Sequence, residues 1–287
     1  MKISKVTLKE VKFIWTLFGK LYRLEVESVS SETIVPFVQR CAGRTLVAFI
    51  FITTTNNLQS RADIEYTLHE GLYPRFYIDE LPHEVIQSPL YQTVDQNELL
   101  NLLDSSHVFD PELRFIIADL MNICRFFNVD RKYFQLLEPY AFQEIWISLS
   151  YRLLHHCPLK GGRPESASEN AWQFSILAFI TTFLFQKGRS LRLSYGLLAG
   201  SLRTAIDYTL TNDSIAESTM LWFLFMGGIS VLESPDTIWL SSKIKTSLAN
   251  LGIDNWLAAR DEIKKHPWID VIHDKLGKEL WYSTFGE

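Results

Sequence analysis

The chain has 287 residues, 47% of them apolar and 13% aromatic, with only 13 glycines and 10 prolines; this suffices for one large core or two small ones and excludes disordered, collagenous and low-complexity chains. Lysine and arginine number 28 against 33 aspartates and glutamates, giving a formal net charge of −5, so no global positive field draws in nucleic acid. Cys41, Cys124 and Cys157 form neither a disulfide framework nor a C-x2-C metal pair, and point to a reducing intracellular setting.

Most of the sequence repeats at the helical period. Leu8, Val11, Ile14, Trp15, Phe18, Leu21 and Tyr22 predict an amphipathic first helix. Lys2, Lys5, Lys9 and Lys12 make a basic stripe on it, for which a solvated face is the ordinary explanation and phosphate contact the sharper one. This start alternates charged and apolar residues past Glu10 and does not read as a signal peptide. The apolar run Thr45 to Ile52 fits either a strand or a buried helix. From Gly71 to Tyr91, Pro74, Pro82 and Pro89 rule out a long helix and predict an ordered connector with one short helix.

Later helix starts are better marked. Asp110 before Pro111 and Glu112 predicts an N-cap and a helix to about Phe127, and Pro139 opens another to about His156. Residues 158–169 form the one Gly/Pro/Ser-rich cluster and predict a flexible loop. The helices on either side carry wide apolar faces that need each other, so we expect a single helical domain over 1–287, with halves 1–157 and 170–287. Ala171 to Phe185 is apolar on all sides and belongs at the centre; its most apolar part, Ile176 to Phe185, falls short of the roughly 20 residues that span a membrane. Four more helices are expected, one from Ser190 to about Leu210, one opened by a capping box at Ser214 to Glu217, one from Asp236 to Gly252, and one capped by Asp254 and limited by Pro267. A last helix is expected from Pro267 to about Tyr282. The fold class is all-α, an irregular multi-helix bundle without a repeat of about 20 to 50 residues.

Two glycine pairs interrupt helices, Gly196 with Gly200 and Gly227 with Gly228. Each glycine costs about 1 kcal/mol against alanine in a helix interior. Close helix packing is the ordinary compensation; the sharper one is room for an apolar small molecule beside Trp172 or Trp222, which makes Trp172, Gly196, Gly200, Trp222, Gly227 and Gly228 the candidate ligand-binding residues. His266, Asp270, His273 and Asp274 have metal-ligand spacing, yet Pro267 takes His266 out of the regular turn, and an acidic first turn with a structural histidine is the ordinary explanation. His155, His156 and Cys157 are sequence neighbours that point apart on a helix, and Cys41 near Arg44 is a small cysteine by a turn. No nucleophile-elbow, P-loop or dinucleotide motif occurs. No catalytic residue, metal or cofactor is assigned.

The run Leu221-Trp222-Phe223-Leu224-Phe225-Met226-Gly227-Gly228, then Trp239, Leu251-Gly252-Ile253 with Trp256, and finally Pro267-Trp268-Ile269-Asp270 with His273-Asp274, Gly277, Leu280 and Trp281, resembles the C-terminal end of the fungal-specific transcription factor domain. That family is the all-helical regulatory region found downstream of Zn2Cys6 DNA-binding modules. Leu149 to Leu153, Ala178-Phe179 and Leu202-Arg203 resemble its middle part, so the likeness covers roughly 140–285. It implies that Trp268 and Trp281 are core anchors, that Asp270, His273 and Asp274 are local hydrogen-bonding partners, and that there are no catalytic residues. A Zn2Cys6 module needs six clustered cysteines and this chain has three scattered ones, so direct nucleic-acid binding is not expected. The expected function is a regulatory domain without its own DNA-binding module, nuclear by resemblance, acting through protein partners, with sensing of an apolar small molecule and homodimerisation as further expectations, and no membrane partner. The alternative is a repurposed helical scaffold in the cytoplasm, a cofactor-independent cyclase or isomerase of natural-product biosynthesis, whose aromatic lining would steady a cationic intermediate.

Overall fold

A computed structural model describes residues 59–76, 103, 109–129, 139–160, 166–184, 195–212 and 215–286, all within one compact unit that comprises Gln59–Phe185 and Leu193–Glu287. Among the described residues every regular element is helical, as the 3.6-residue periodicity predicts. In chain order these are α1 (59–70), α2 (Pro111–Val129), α3 (Pro139–His156), α4 (Ala167–Leu184), α5 (Gly196–Asn212), α6 (Glu217–Ser230), a 3-10 turn (Ser234–Asp236), α7 (Thr237–Leu251), α8 (Trp256–Ile263) and α9 (Asp270–Phe285). The basic stripe of the first helix, the run 45–52, Cys41 with Arg44, and most of the Gly71 to Tyr91 connector lie outside the described residues.

The core is built around α4 and α6, the two helices with no polar face. From Ala171 to Thr182 every residue of α4 is buried, and so is every residue of α6 from Thr219 to Gly227. A helix that is apolar all round must be enclosed by others. Accordingly α4 packs on α3, α5 and α6, while α6 packs on α7, α8 and α9 as well. The largest enclosed side chains, Trp146, Trp172, Trp222 and Trp268, sit along this axis with less than 2% of their surface exposed. Full burial of one such ring is worth several kcal/mol, so each ring of this axis is among the largest single apolar contributors.

Helix ends follow local chemistry. The Asp110 carboxylate accepts from the N–H groups of Glu112 at 2.8 Å and Leu113 at 3.4 Å, with Pro111 at the first helical position, the predicted cap. Gly252 ends α7 with φ 68°, and the N–H of Ile253 reaches back to the Leu248 carbonyl at 2.9 Å, a left-handed closure that glycine adopts without strain.

Other boundaries move. Ser214 lies outside the described residues; α6 is capped by the backbone of Ala216, and Glu217 is its first helical residue rather than the third residue of a capping box. The Glu217 carboxylate turns outward instead, accepting from Ser247 at 2.9 Å and Asn250 at 2.8 Å on α7. Asp236 precedes α7 but its side chain caps nothing, because its carboxylate binds Arg203 at 2.6 Å. The cap of α8 is Asn255, whose side chain accepts from Ala258 N–H at 3.0 Å, and not Asp254. The last helix begins at Asp270, since Ile269 is extended (φ −116°, ψ 111°). The chain thus runs non-helically through Pro267 to Ile269 before entering α9. The start expected at Ser190 lies outside the described residues and α5 is described from Gly196. Ala167, Ser168 and Glu169 belong to α4 rather than to the loop, with the Ser166 hydroxyl accepting from the Glu169 N–H at 3.3 Å.

Candidate functional site

Of the six residues singled out for a ligand, the structure brings two into contact. Trp172 on α4 and Trp222 on α6 approach to 5.0 Å between ring centroids. The space around them is filled by other rings. Phe223 meets Trp172 edge-on at 5.4 Å, and the His266 imidazole stacks on Trp222 at 5.8 Å with 14° between planes. Gly227 and Gly228 lie at close approaches. A Cβ on Gly227 would sit 2.8 Å from Leu232 Cδ1 and 3.0 Å from Leu202 Cδ2, and one on Gly228 would sit 2.7 Å from Leu280 Cδ2 and 2.8 Å from Leu240 Cδ2. Leucine methyls therefore occupy the room these glycines leave. Gly196 and Gly200 face the other way, on the exposed side of α5 with nothing within 4 Å of either Cβ position.

The segment from His266 to Asp274 joins the core and the surface of the C-terminal part. Trp222 Nε1–H donates to the Pro267 carbonyl at 2.8 Å, and His266 Nε2 lies 2.9 Å from Thr219 Oγ1. Asn128, at the end of α2, donates to the Trp268 carbonyl at 2.7 Å and accepts from the Asp270 N–H at 3.0 Å. One amide side chain thus holds both edges of the turn into α9.

His273 is fixed at both ring nitrogens. Its Nδ1 accepts from the Ile269 N–H at 3.0 Å and its Nε2 lies 3.0 Å from Thr182 Oγ1, whose hydroxyl donates to the Phe179 carbonyl at 2.6 Å. With the hydroxyl proton so used, the network assigns the neutral imidazole with hydrogen on Nε2. A proton on Nδ1 would face the Ile269 N–H, donor against donor. Burial pushes His273 down to about 3, with Asp274 pulling weakly the other way. Burial likewise takes His266 down to about 3, helped by Lys265.

The acidic residues of the same segment pair elsewhere. Asp274 receives Arg260 at 2.9 Å through Nε and 2.8 Å through Nη2, and Trp268 Nε1–H at 2.8 Å. Burial alone would raise its carboxyl, but the hydrogen bonds from Arg260 and Trp268 outweigh it and hold Asp274 below the usual carboxylate range. Asp270 binds Lys264 at 2.8 Å and Arg260 at 3.1 Å. The two histidines thus turn inward to threonines while the two aspartates share Arg260. Among the described residues no group of three or more His, Cys, Asp or Glu is arranged to hold a metal ion.

The sequence neighbours His155, His156 and Cys157 also diverge. His155 reaches the Phe76 carbonyl at 3.1 Å, His156 Nδ1 lies 3.7 Å from the Asp110 carboxylate, and Cys157 Sγ lies 3.8 Å from the Pro158 carbonyl. Cys124 and Cys157 are buried thiols, and burial pushes the Cys124 thiol up, away from the reactive thiolate. Asn128, Thr182, Thr219 and Arg260, which sequence reasoning passed over, supply partners for Trp268, His273, His266 and Asp274. Nothing local marks them, because their partners lie 140, 91, 47 and 14 residues away.

The arrangement is a buried aromatic stack closed by a segment in which His266, Asp270, His273 and Asp274 each meet a structural partner. No described helix is long and apolar enough to cross a membrane. Compared with known proteins, the chain matches no family model, no curated protein and no solved structure.

Proposed function

We propose that this chain is a regulatory module of transcription-factor type that works through protein contacts and carries no DNA-binding module of its own. The observation that carries this reading is the closing run Pro267 to Asp274. Its tryptophan, histidine and two aspartates are engaged in anchoring α9 to α2, α4 and α8, the role implied by the resemblance to the fungal-specific transcription factor domain. A module whose distinctive residues are committed to structural contacts acts through its remaining surface, and the three scattered cysteines cannot build a Zn2Cys6 cluster within these 287 residues. Sensing of an apolar molecule would operate at the stack of Trp172, Trp222 and His266, where a ligand that prefers one of two packings shifts their populations.

Tethering the full chain through a heterologous DNA-binding module to a reporter promoter tests the reading. A several-fold change in reporter output, lost with the untethered chain, is the expected result. Output equal to that of the DNA-binding module alone would overturn it.

A further inference from the structure

The segment that seats α9 holds its two histidines unequally. At His273 both ring nitrogens are engaged, Nδ1 by the Ile269 N–H and Nε2 by Thr182. At His266 only Nε2 is engaged, by Thr219, while Nδ1 is enclosed and makes no hydrogen bond. The neighbouring carbonyls of Glu262 and Ile263 are already taken, the first by the N–H groups of Lys264 and Lys265 and the second by the N–H of His266 itself at 3.0 Å. An enclosed polar atom without a partner carries a desolvation cost that contact with water removes. His266 therefore gives up one ring hydrogen bond on moving outward where His273 gives up two.

The surroundings differ in the same direction. Beyond Pro267 the chain is pinned, Trp268 and Asp270 through Asn128 and the Trp268 indole through Asp274. Before it, Ile263 is fully buried at the end of α8, and Lys264 is tied to Asp270 at 2.8 Å. Between these pins the residues Lys265 to Pro267 belong to no helix. Two hydrogen bonds hold them to α6, His266 to Thr219 and the Pro267 carbonyl to Trp222 Nε1–H, beside the stack of His266 on Trp222. Thr219 itself lies in the first turn of α6, where Ala216 supplies no side-chain cap, and helix ends open more readily than helix interiors.

We propose that Lys265 to Pro267 is a latch over the aromatic stack, which swings off α6 while α9 stays seated and so uncovers the faces of Trp172 and Trp222 and the Thr219 hydroxyl. The opening is local, since the bonds of His273, Asn128 and Asp274 persist through it. It supplies an entrance for the proposed sensing of an apolar molecule and rests on that reading for purpose only, because the unequal hydrogen bonding stands on geometry alone.

Native-state hydrogen exchange of the full chain, followed by NMR at neutral pH, tests this on two indole N–H groups of the same intrinsic chemistry. Trp222 donates to Pro267 on the latch and Trp268 to Asp274 beyond it. Burial alone ranks Trp222 at least as protected as Trp268, the two being 0% and 1% exposed. The expected result is the reverse, with the Trp222 indole at least about tenfold less protected. In Thr182→Val, which weakens the His273 end, the His273 amide is expected to lose protection about fivefold while the Trp222 indole keeps its value, because the closed and latch-open chains lack the same bond. A Trp222 indole protected as well as that of Trp268, or Trp222 and His273 losing protection together in Thr182→Val, would show that the segment opens only as a whole and overturn the proposal; the first comparison needs no variant. Faster Trp222 exchange beside a silent reporter would leave the latch standing and remove the regulatory reading; an active reporter with equally protected indoles would do the reverse.

Discussion

The corner where α2, α3 and α4 meet and the segment that seats α9 solve the same problem with different chemistry. At the corner the polar groups are charged and partly wet. Arg152 binds Asp119 at 2.5 Å and reaches Glu112 at 3.8 Å, while Glu169 accepts the Asp110 N–H at 2.6 Å. At the α9 seat the ion pairs of Arg260 and Lys264 stay at the rim, and the enclosed polar groups are two neutral histidines, each facing a threonine on a central helix. Charged pairs tolerate water and change little while their carboxylates stay ionised. A neutral histidine in a dry core is stable only while it stays neutral, so the two regions must differ in their response to acid and to loss of an aromatic ring.

The largest expected effect is at the aromatic axis. Trp222→Ala removes a fully buried ring, opens space beside Trp172 and His266, and leaves the Pro267 carbonyl without its donor. A loss of about 4 kcal/mol in urea unfolding is expected; a loss under about 1 kcal/mol would mean that the ring is not enclosed.

Acid comes next. The folded-state values of His266 and His273 lie at about 3 against an ordinary 6.5. The unfolded chain therefore binds more protons between those limits, and stability is complete above pH 6.5 and falls as pH drops toward 3. At pH 5 each histidine is expected to have withdrawn roughly 2 kcal/mol, since one pH unit corresponds to about 1.4 kcal/mol. Denaturation midpoints of the native chain and of His273→Asn between pH 7 and 5 check this, the variant having the shallower slope. Equal slopes would place His273 in water.

A smaller effect is expected at the rim. Asp274→Asn keeps the shape but gives up charge-assisted hydrogen bonds to Arg260 at a partly exposed site. A loss of about 1 to 2 kcal/mol is expected, measured by urea unfolding at neutral pH. The smallest effects separate the glycines. Gly228→Ala drives a methyl against Leu280 and Leu240 and is expected to destabilise by about 1 kcal/mol, overpacking outweighing the gain in helix propensity. Gly200→Ala meets nothing within 4 Å and is expected to stabilise by up to about 1 kcal/mol. Thermal melting of the two variants should move in opposite directions.

These contrasts also show which parts of the molecule can be read from sequence. The cap at Asp110, the start at Pro139 and the stop at Gly252 depend on residues within one turn, and the structure has them where local chemistry puts them. The starts of α6 and α9 follow tertiary partners instead, while the cap of α8 passes from Asp254 to its neighbour Asn255. Glu217 goes to Ser247 and Asn250, and Asn128 draws the turn at Asp270 three residues past Pro267. In the same way the tryptophans of the aromatic axis were visible as apolar periodicity, while Asn128, Thr182 and Thr219 were not. A single polar residue in an apolar helix carries no sign of the imidazole or backbone it will meet across the fold.

The central claim is that the segment from His266 to Asp274 is an internal lock whose histidines are held neutral. The most direct measurement is a nitrogen chemical-shift titration of the imidazoles in the folded chain. The expected result is His273 with an unprotonated Nδ1 and hydrogen on Nε2, unchanged from pH 7.5 down to the onset of acid unfolding. A His273 that titrates with a midpoint near the ordinary 6.5 while the chain stays folded would contradict the account.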